Sequence, residues 1–280
     1  MDLYCVMGNP VAHSKSPWIH TRFAALTRQT LHYTRMLIAL DGFAQGVREF
    51  RSQGGQGCNI TMPFKFQAAS LPNVHLTARA RLAGAANVLT FHRDLIEADN
   101  TDGIGLVRDI TGNAGVALAG RRLLLVGAGG AGSGVLGPLI EAGPASITIA
   151  NRTEDKAARL AASHAALAAE HGVQLQACGL QSPGAAFDVV INASASSMDG
   201  QAAPVPATVL REGTLAVDLV YGPGAQGFIL WAQAHGAQGR DGLGMLVEQA
   251  AEAYRIWRGV MPPAAQVLAE LRAALEAGTA

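Results

Sequence analysis

The chain has no excess charge of either sign, with 21 Lys and Arg against 21 Asp and Glu in 280 residues. With no basic run either, the electrostatic footprint of an extended nucleic-acid binder is missing. Cysteine is scarce. Cys5, Cys58 and Cys178 are odd in number, widely spaced and form no CxxC pair. That excludes a disulfide scaffold and reads as buried thiols in a reducing compartment. No apolar run approaches the roughly 18–20 residues needed to cross a bilayer. The opening Met1-Asp2-Leu3-Tyr4-Cys5 lacks both the basic n-region and the long apolar core of a signal peptide. The eight histidines show no HxH, HxxxH or HExxH spacing, so no metal site is expected. Ser194, Ser196 and Ser197 lack the GxSxG elbow, which leaves nucleophilic hydrolysis unsupported. Charged residues make up only 15% and hydrophobic ones 49%, so disorder is excluded. The length suggests two domains. The expectation is a cytoplasmic protein with neither nucleic acid nor membrane as partner.

What is present is an alternation of short apolar runs with helical patterns. Residues 4–7, closed by Gly8-Asn9-Pro10, read as a strand, as do residues 32–38 and 58–61. Residues 86–91 and 95–98 could pair as strands across His92-Arg93-Asp94. Ser16-Pro17 reads as N-cap and first residue of a helix with Ile19, Phe23 and Leu26 on one face. Phe43, Val47 and Phe50 mark a second helix. After residues 112–115 a new unit opens, with strands expected at 121–126, 146–150, 187–191 and 215–220. Residues 245–257 and 264–277 are helical. The alternation predicts an α/β protein with mostly parallel sheets covered by helices.

Between the first strand of the second unit and the helix after it stands Gly127-Ala128-Gly129-Gly130-Ala131-Gly132, a GxGxxG pattern. Glycines there permit a tight turn and let backbone N–H groups approach a pyrophosphate at the helix N-terminus. In a chain with 33 glycines the alternative is a plain turn, and the strand–turn–helix setting is the context that favours the ligand. A binder of NAD carries an acid about 20 positions further on, at the ribose hydroxyls. Here that place reads Asn151-Arg152-Thr153, with Lys156 in the helix that follows. A guanidinium matches a 2′-phosphate in charge and fork geometry, which points to NADP. Glu154 and Asp155 weigh against this, and a simple helix cap is the alternative.

Three segments of the first hundred residues could carry chemistry. Ser14-Lys15-Ser16-Pro17 puts two hydroxyls at a helix N-terminus, where an anion is favoured, although capping alone would explain them. Lys65 lies between Phe64 and Phe66 in a helix expected to begin around Pro63. The macrodipole disfavours a cation there, and the flanking rings would desolvate it, a placement that suits acid–base chemistry. Asn100-Thr101-Asp102-Gly103 precedes another helical pattern, in which Asp102 could equally be a cap.

Taken in order, these segments resemble the shikimate dehydrogenase family. The likeness rests on Gly8-Asn9-Pro10 with His13-Ser14-Lys15-Ser16-Pro17, on Gly57-Cys58-Asn59-Ile60-Thr61-Met62-Pro63-Phe64-Lys65, and on Asn100-Thr101-Asp102-Gly103. The glycine turn, Asn151-Arg152-Thr153, and Gly242-Leu243-Gly244-Met245-Leu246 with Gln249 complete it. The likeness covers almost the whole chain, and six motifs in order make it specific. It implies NADPH-dependent, reversible reduction of 3-dehydroshikimate to shikimate in aromatic amino acid (chorismate) biosynthesis, by a monomer or homodimer. It implies a Rossmann-type domain over residues 106–241 that binds NADP(H). A substrate domain with a mainly parallel sheet would span 1–105, completed by helices of 242–280, with the site in the cleft between the two.

By motif match, Lys65 and Asp102 would form the catalytic pair, and Ser14 and Ser16 would hold the substrate carboxylate. Asn59, Thr61, Asn87, Tyr221 and Gln249 would line the ring. Gly127, Ala128, Gly129, Gly130, Ala131, Asn151, Arg152, Thr153, Lys156, Ser194 and Gly242 would hold the cofactor. The chain departs from the family's usual residues at Val88 and Gly227, where Thr is usual, and at Ala98, where Gly is common. These positions leave the pair intact. Two alternatives stand beside this reading. One is a quinate/shikimate dehydrogenase, in which an acid for NAD and an altered serine pair are expected. The other is a catalytically silent NADP(H)-binding sensor, which need not keep both Lys65 and Asp102.

Overall fold

The computed structural model describes residues 1–199 and 203–279. The chain divides into two compact units, Met1–Gly105 with Val247–Ala280, and Leu106–Leu246.

In the first unit lie β1 (Asp2–Gly8), β2 (Leu31–Leu37), β3 (Gly55–Ile60), β4 (Val74–Leu76), β5 (Val88–Phe91) and β6 (Ile96–Asp99), in the order β2-β1-β3-β5-β6-β4. The β1–β2, β1–β3 and β4–β6 pairs are parallel. The short link from β5 to β6 allows only a hairpin, and both β3–β5 and β5–β6 are antiparallel. Strand periodicity splits β1 between two cores. Cys5 and Met7 pack with Cys58, Ile60, Phe43, Val47 and Phe50, while Tyr4 and Val6 pack with Tyr33 and Trp257.

Helix α1 (Ser16–Thr27) follows β1 and buries Ile19 and Phe23 completely. Its cap corrects the sequence expectation. Lys15 is the N-cap, without a side-chain cap bond, and Ser16 is already helical. Ser14 Oγ accepts from the Ser16 amide at 3.3 Å instead. The Arg35 guanidinium donates to the Ser14 carbonyl at 2.6 and 2.9 Å, which fixes the loop. After α2 (Phe43–Ser52) comes α3 (Lys65–Ala69), which begins later than Pro63 because the Phe64 amide turns back to the Thr61 carbonyl. The flanking rings are not what desolvates Lys65. Phe64 leaves for the core and stacks on Phe43 at 5.0 Å, and Phe66 is half exposed.

His20 is fully buried on α1, and among the described residues neither ring nitrogen has a hydrogen-bond partner. Burial pushes its pKa down to about 3. The unfolded chain takes up this proton near pH 6.5, so between pH 6.5 and 3 the unfolded state binds more protons. This contribution to stability is therefore complete above about 6.5 and is lost as pH falls towards 3. The slope from this group alone is up to about 1.4 kcal/mol per pH unit. Urea melts at pH 7.5 and pH 5 should show a smaller loss for His20→Phe than for the wild type. Equal losses would contradict the assignment.

The second unit contains β7 (Arg122–Val126), α4 (Gly130–Glu141), β8 (Ser146–Ala150), α5 (Glu154–Ser163), β9 (Gln174–Cys178), β10 (Val189–Asn192), β11 (Leu215–Asp218) and β12 (Gln238–Arg240). The strand order is β12-β11-β10-β7-β8-β9, and every pairing is parallel. Counted from the first strand of the unit this is 3-2-1-4-5-6, the doubly wound dinucleotide-binding order. Alternate residues feed two cores: Leu123, Leu125, Ile147 and Ile191 on one face, Leu124, Val126 and Val190 on the other.

Cys178 corrects another expectation, since it is only half-buried on the edge strand β9; Cys5 and Cys58 are fully buried. The unit boundary lies at Val247 and not at Gly242, inside α6 (Leu243–Arg258). Met245 packs in the second unit's core, and a β-carbon on Gly244 would lie 1.8 Å from the buried Asp109 carboxylate. The last helix is α7 (Ala264–Glu276). Among the described residues no helix is long and apolar enough to cross a membrane.

Candidate active site

Sheet register gathers the first unit's chemistry. Asn59 pairs with Val88, and Val88 with Asp99, so the end of β3, the start of β5 and the end of β6 share one edge of the sheet. Lys65 opens the helix after β3, and Asp102 opens the helix Asp102–Arg108 after β6. Their side chains meet, with Lys65 Nζ 2.5 Å from Asp102 Oδ2 and exposures of 17% and 5%. Such burial makes this more than a solvent-screened surface pair.

Asp102 is held from several sides. Its amide donates to Asn100 Oδ1 at 3.1 Å, and its second carboxylate oxygen accepts from Asn87 Nδ2 at 2.8 Å. Asn87 is the hub. Its two N–H donors face three acceptors, the others being Thr101 Oγ1 at 3.0 Å and Gln249 Oε1 at 3.1 Å. Its Oδ1 accepts from the Thr101 amide at 2.8 Å. Asn59 Nδ2 donates to the Asn87 carbonyl at 3.3 Å, and the Tyr33 hydroxyl donates to Asn59 Oδ1 at 2.6 Å. One network thus unites Lys65, Asp102, Asn59, Asn87 and Gln249.

Three members of this network were not among the predicted site residues. Asn100 and Thr101 stand inside the aspartate motif and could have been taken with it, whereas Tyr33 carries no sequence signal beyond a strand position. Of the remaining first-unit candidates, Ser14 and Ser16 are buried with their hydroxyls 3.2 Å apart. Thr61 is half-buried, tied by its amide to the Met7 carbonyl. Chemically, the arrangement offers an ammonium fixed to a carboxylate, able to give a proton to an oxyanion, with amides and hydroxyls around it.

In the second unit, three glycines of the turn each have a distinct reason. Gly127 has φ +108°, and a β-carbon would press on Ala193 and the Ser194 amide. On Gly132 a β-carbon would lie 2.1 Å from the Gly127 carbonyl oxygen, while at Gly129 it would meet open space. These are the tight turn, the close helix packing and the free approach that a pyrophosphate needs. Helix α4 starts without a side-chain cap, so its first amides remain for an anion; Gly130 and Ala131 are its first residues. The Ala128 amide donates to Asn151 Oδ1 at 3.1 Å, and Asn151 Nδ2 donates to the Thr153 carbonyl.

Arg152, Thr153 and Lys156 are exposed beyond β8. Among the described residues, neither Arg152 nor Lys156 is tied up in an ion pair. Ser194 Oγ donates to Asn192 Oδ1 at 2.6 Å, and Asn192 in turn donates to the buried Asp218. Burial raises the Asp218 pKa. Gly242 is required by packing, since a β-carbon would lie 2.3 Å from the Leu219 carbonyl. Tyr221 also belongs to this unit, just before the short turn Gly222–Ala225. The open glycine turn and the two unpaired cations fit a dinucleotide bearing a 2′-phosphate.

A doubly wound unit of this kind, with a second unit that holds a buried ammonium–carboxylate pair, defines a nicotinamide-nucleotide-dependent oxidoreductase. Comparison with known proteins narrows the class. Residues 6–89 match the shikimate dehydrogenase substrate binding domain, 108–201 the shikimate/quinate 5-dehydrogenase domain, and 242–272 the shikimate 5′-dehydrogenase C-terminal domain. The chain is 63% identical over 277 residues to a shikimate dehydrogenase (NADP(+)) of Acidovorax ebreus, covering 99% of this chain and 98% of that one. Among solved structures it is similar to an Ael1 enzyme from Pseudomonas putida, with TM-score 0.86, 43% identity and coverage of 97% and 98%. A shikimate 5-dehydrogenase from Thermus thermophilus, in complex with NADP(H) and shikimate, gives TM-score 0.84, 31% identity and coverage of 98% and 100%. The chain belongs to the shikimate dehydrogenase family.

Proposed function

We propose that this chain catalyses the NADPH-dependent, reversible reduction of 3-dehydroshikimate to shikimate, a step towards chorismate. The observation that carries the proposal is the Lys65–Asp102 pair held in one network with Asn87, Thr101 and Gln249. The reading places the reaction in the cytoplasm, in a monomer or homodimer. It assigns most of the substrate contacts to the first unit and the dinucleotide to the second.

When bound, NADPH supplies the hydride that reduces the ring carbonyl carbon. As that C–H bond forms, the C=O π electrons pass to oxygen. The Lys65 ammonium gives its proton to the developing alkoxide, and Asp102 keeps its charge and aims Nζ at that oxygen. In the direction of oxidation, neutral Lys65 takes the hydroxyl proton. Ser14 and Ser16 hold the ring carboxylate, and Asn59, Thr61, Asn87, Tyr221 and Gln249 hold the ring and its hydroxyls. The glycine-turn amides, with Asn151, Thr153, Ser194 and Gly242 around them, hold the nucleotide. Arg152 and Lys156 hold its 2′-phosphate.

Two consequences are measurable. Arg152→Ala should weaken NADP⁺ by about 1.5–3 kcal/mol, the range for hydrogen bonds to charged groups, and leave NAD⁺ nearly unchanged. Equal losses for both would mean that Arg152 supports the fold. Ser16→Ala should raise KM for shikimate and leave KM for NADP⁺ near wild type. A carboxamide analogue of shikimate should lose less than shikimate does, and equal losses would move the carboxylate site elsewhere.

The test of the function itself is NADP⁺ reduction followed at 340 nm with shikimate, then quinate, then shikimate with NAD⁺. Turnover confined to shikimate with NADP⁺ supports the proposal. Comparable rates with quinate point to the quinate/shikimate branch, and no turnover in a nucleotide-binding protein points to a sensor.

A further inference from the structure

We infer that Tyr33 is a positioning residue: its hydroxyl fixes which face of the Asn59 amide meets the substrate, with the His20 ring as the plate behind it. This rests on the proposed reading of the first unit as the shikimate site.

The Tyr33 hydroxyl is buried and donates to Asn59 Oδ1 at 2.6 Å. It stays protonated, because burial holds its pKa well above the ordinary tyrosine value. An amide side chain has one accepting oxygen and two N–H donors. The oxygen of Asn59 is taken by Tyr33, and one N–H points at the Asn87 carbonyl, 3.3 Å from Nδ2. A flipped amide would set its oxygen against that carbonyl and leave the Tyr33 proton without an acceptor. The orientation is therefore locked, and the remaining N–H is the group that Asn59 offers to a ligand oxygen.

His20 explains why Tyr33 cannot swing away. The two rings stack at 4.3 Å with 5° between their planes, and Phe23 packs on His20 in a T-shaped contact at 5.9 Å. Among the described residues, neither imidazole nitrogen of His20 makes a hydrogen bond to Asn59.

The experiment is Tyr33→Phe, which removes one oxygen and keeps the ring. Calorimetric titration with shikimate in the absence of nucleotide should show Kd raised about tenfold, the effect of one lost hydrogen bond. KM for shikimate should rise equally, with kcat within about threefold and KM for NADP⁺ unchanged. One of the two monodeoxy analogues, 4-deoxy- or 5-deoxyshikimate, should escape the tenfold penalty because it lacks the hydroxyl that Asn59 meets. In an Asn59→Ala background Tyr33→Phe should add nothing, since its effect passes through that amide. His20→Ala, which removes the plate, should weaken the same ligands in the same order.

Equal losses for all ligands, additivity with Asn59→Ala, or an unchanged Kd would overturn the inference. So would a Tyr33→Phe chain that does not fold, because the hydroxyl would then serve the fold. Failure of the underlying reading looks different: the wild-type protein itself would neither bind nor oxidise shikimate.

Discussion

Lys65→Ala should lower kcat for shikimate oxidation by about 10²–10⁴-fold, the usual contribution of a positioned acid or base. The expectation follows from where the side chain sits. Lys65 Nζ touches Asp102 Oδ2 at 2.5 Å and is only 17% exposed. With the ammonium gone, water has to supply the proton from no fixed position, while the groups assigned to the carboxylate and ring remain. Kd for shikimate should therefore change by no more than about fivefold, which separates loss of chemistry from loss of binding. Asp102→Asn should keep the shape of the site and lose the charge that aims Nζ, so kcat should fall while Kd for shikimate changes little. Turnover of folded, saturated Lys65→Ala within about threefold of wild type would remove Lys65 from the chemistry.

Asn87→Ala carries the second large effect, on stability and rate together. Asn87 is 2% exposed, donates to Asp102 Oδ1, and accepts from the Thr101 amide. Each buried polar group left without a partner costs about 1–3 kcal/mol. Truncation strips partners from a peptide N–H and from a carboxylate oxygen, so the expected loss is about 3 kcal/mol or more, among the larger single-residue effects. The catalytic rate should also fall, because Asp102 loses one of the bonds that set its direction. Urea denaturation and kcat read the two parts separately. A stability loss below about 1 kcal/mol would mean that water takes over the role of the amide.

The second unit was legible in the sequence because buried parallel strands read as nearly continuous apolar runs. Leu123-Leu124-Leu125-Val126 and Ile147-Thr148-Ile149 announce themselves in this way. The edge strand β9, Gln174-Leu175-Gln176-Ala177-Cys178, alternates polar and apolar residues, and β4 and β12 are three residues each. None of these offers a run long enough to detect. The helix starts at Ser16 and Lys65 were misplaced because proline preference at a helix start does not say which residue caps it. At both, a loop bond decides: Ser14 Oγ to the Ser16 amide, and the Phe64 amide to the Thr61 carbonyl.

The candidate site was legible as separate motifs, and their order along the chain carried the family resemblance. Nothing in the spacing of Lys65 and Asp102 shows that they touch. Their meeting depends on the antiparallel insertion of β5 between β3 and β6, a feature of sheet register. Tyr33 was invisible for the same reason. Its strand alternation predicts burial, and only the β2-β1-β3 order of the sheet brings its hydroxyl to Asn59.

The most direct test of the proposed chemistry is a crystal structure of the chain with shikimate and NADP⁺ bound. The account predicts Lys65 Nζ within hydrogen-bond reach, about 2.6–3.2 Å, of the hydroxyl on the ring carbon that is oxidised, with the Ser14 and Ser16 hydroxyls on the ring carboxylate. A complex in which Lys65 and Asp102 face the carboxylate, or another part of the ligand away from the reacting carbon, would contradict it.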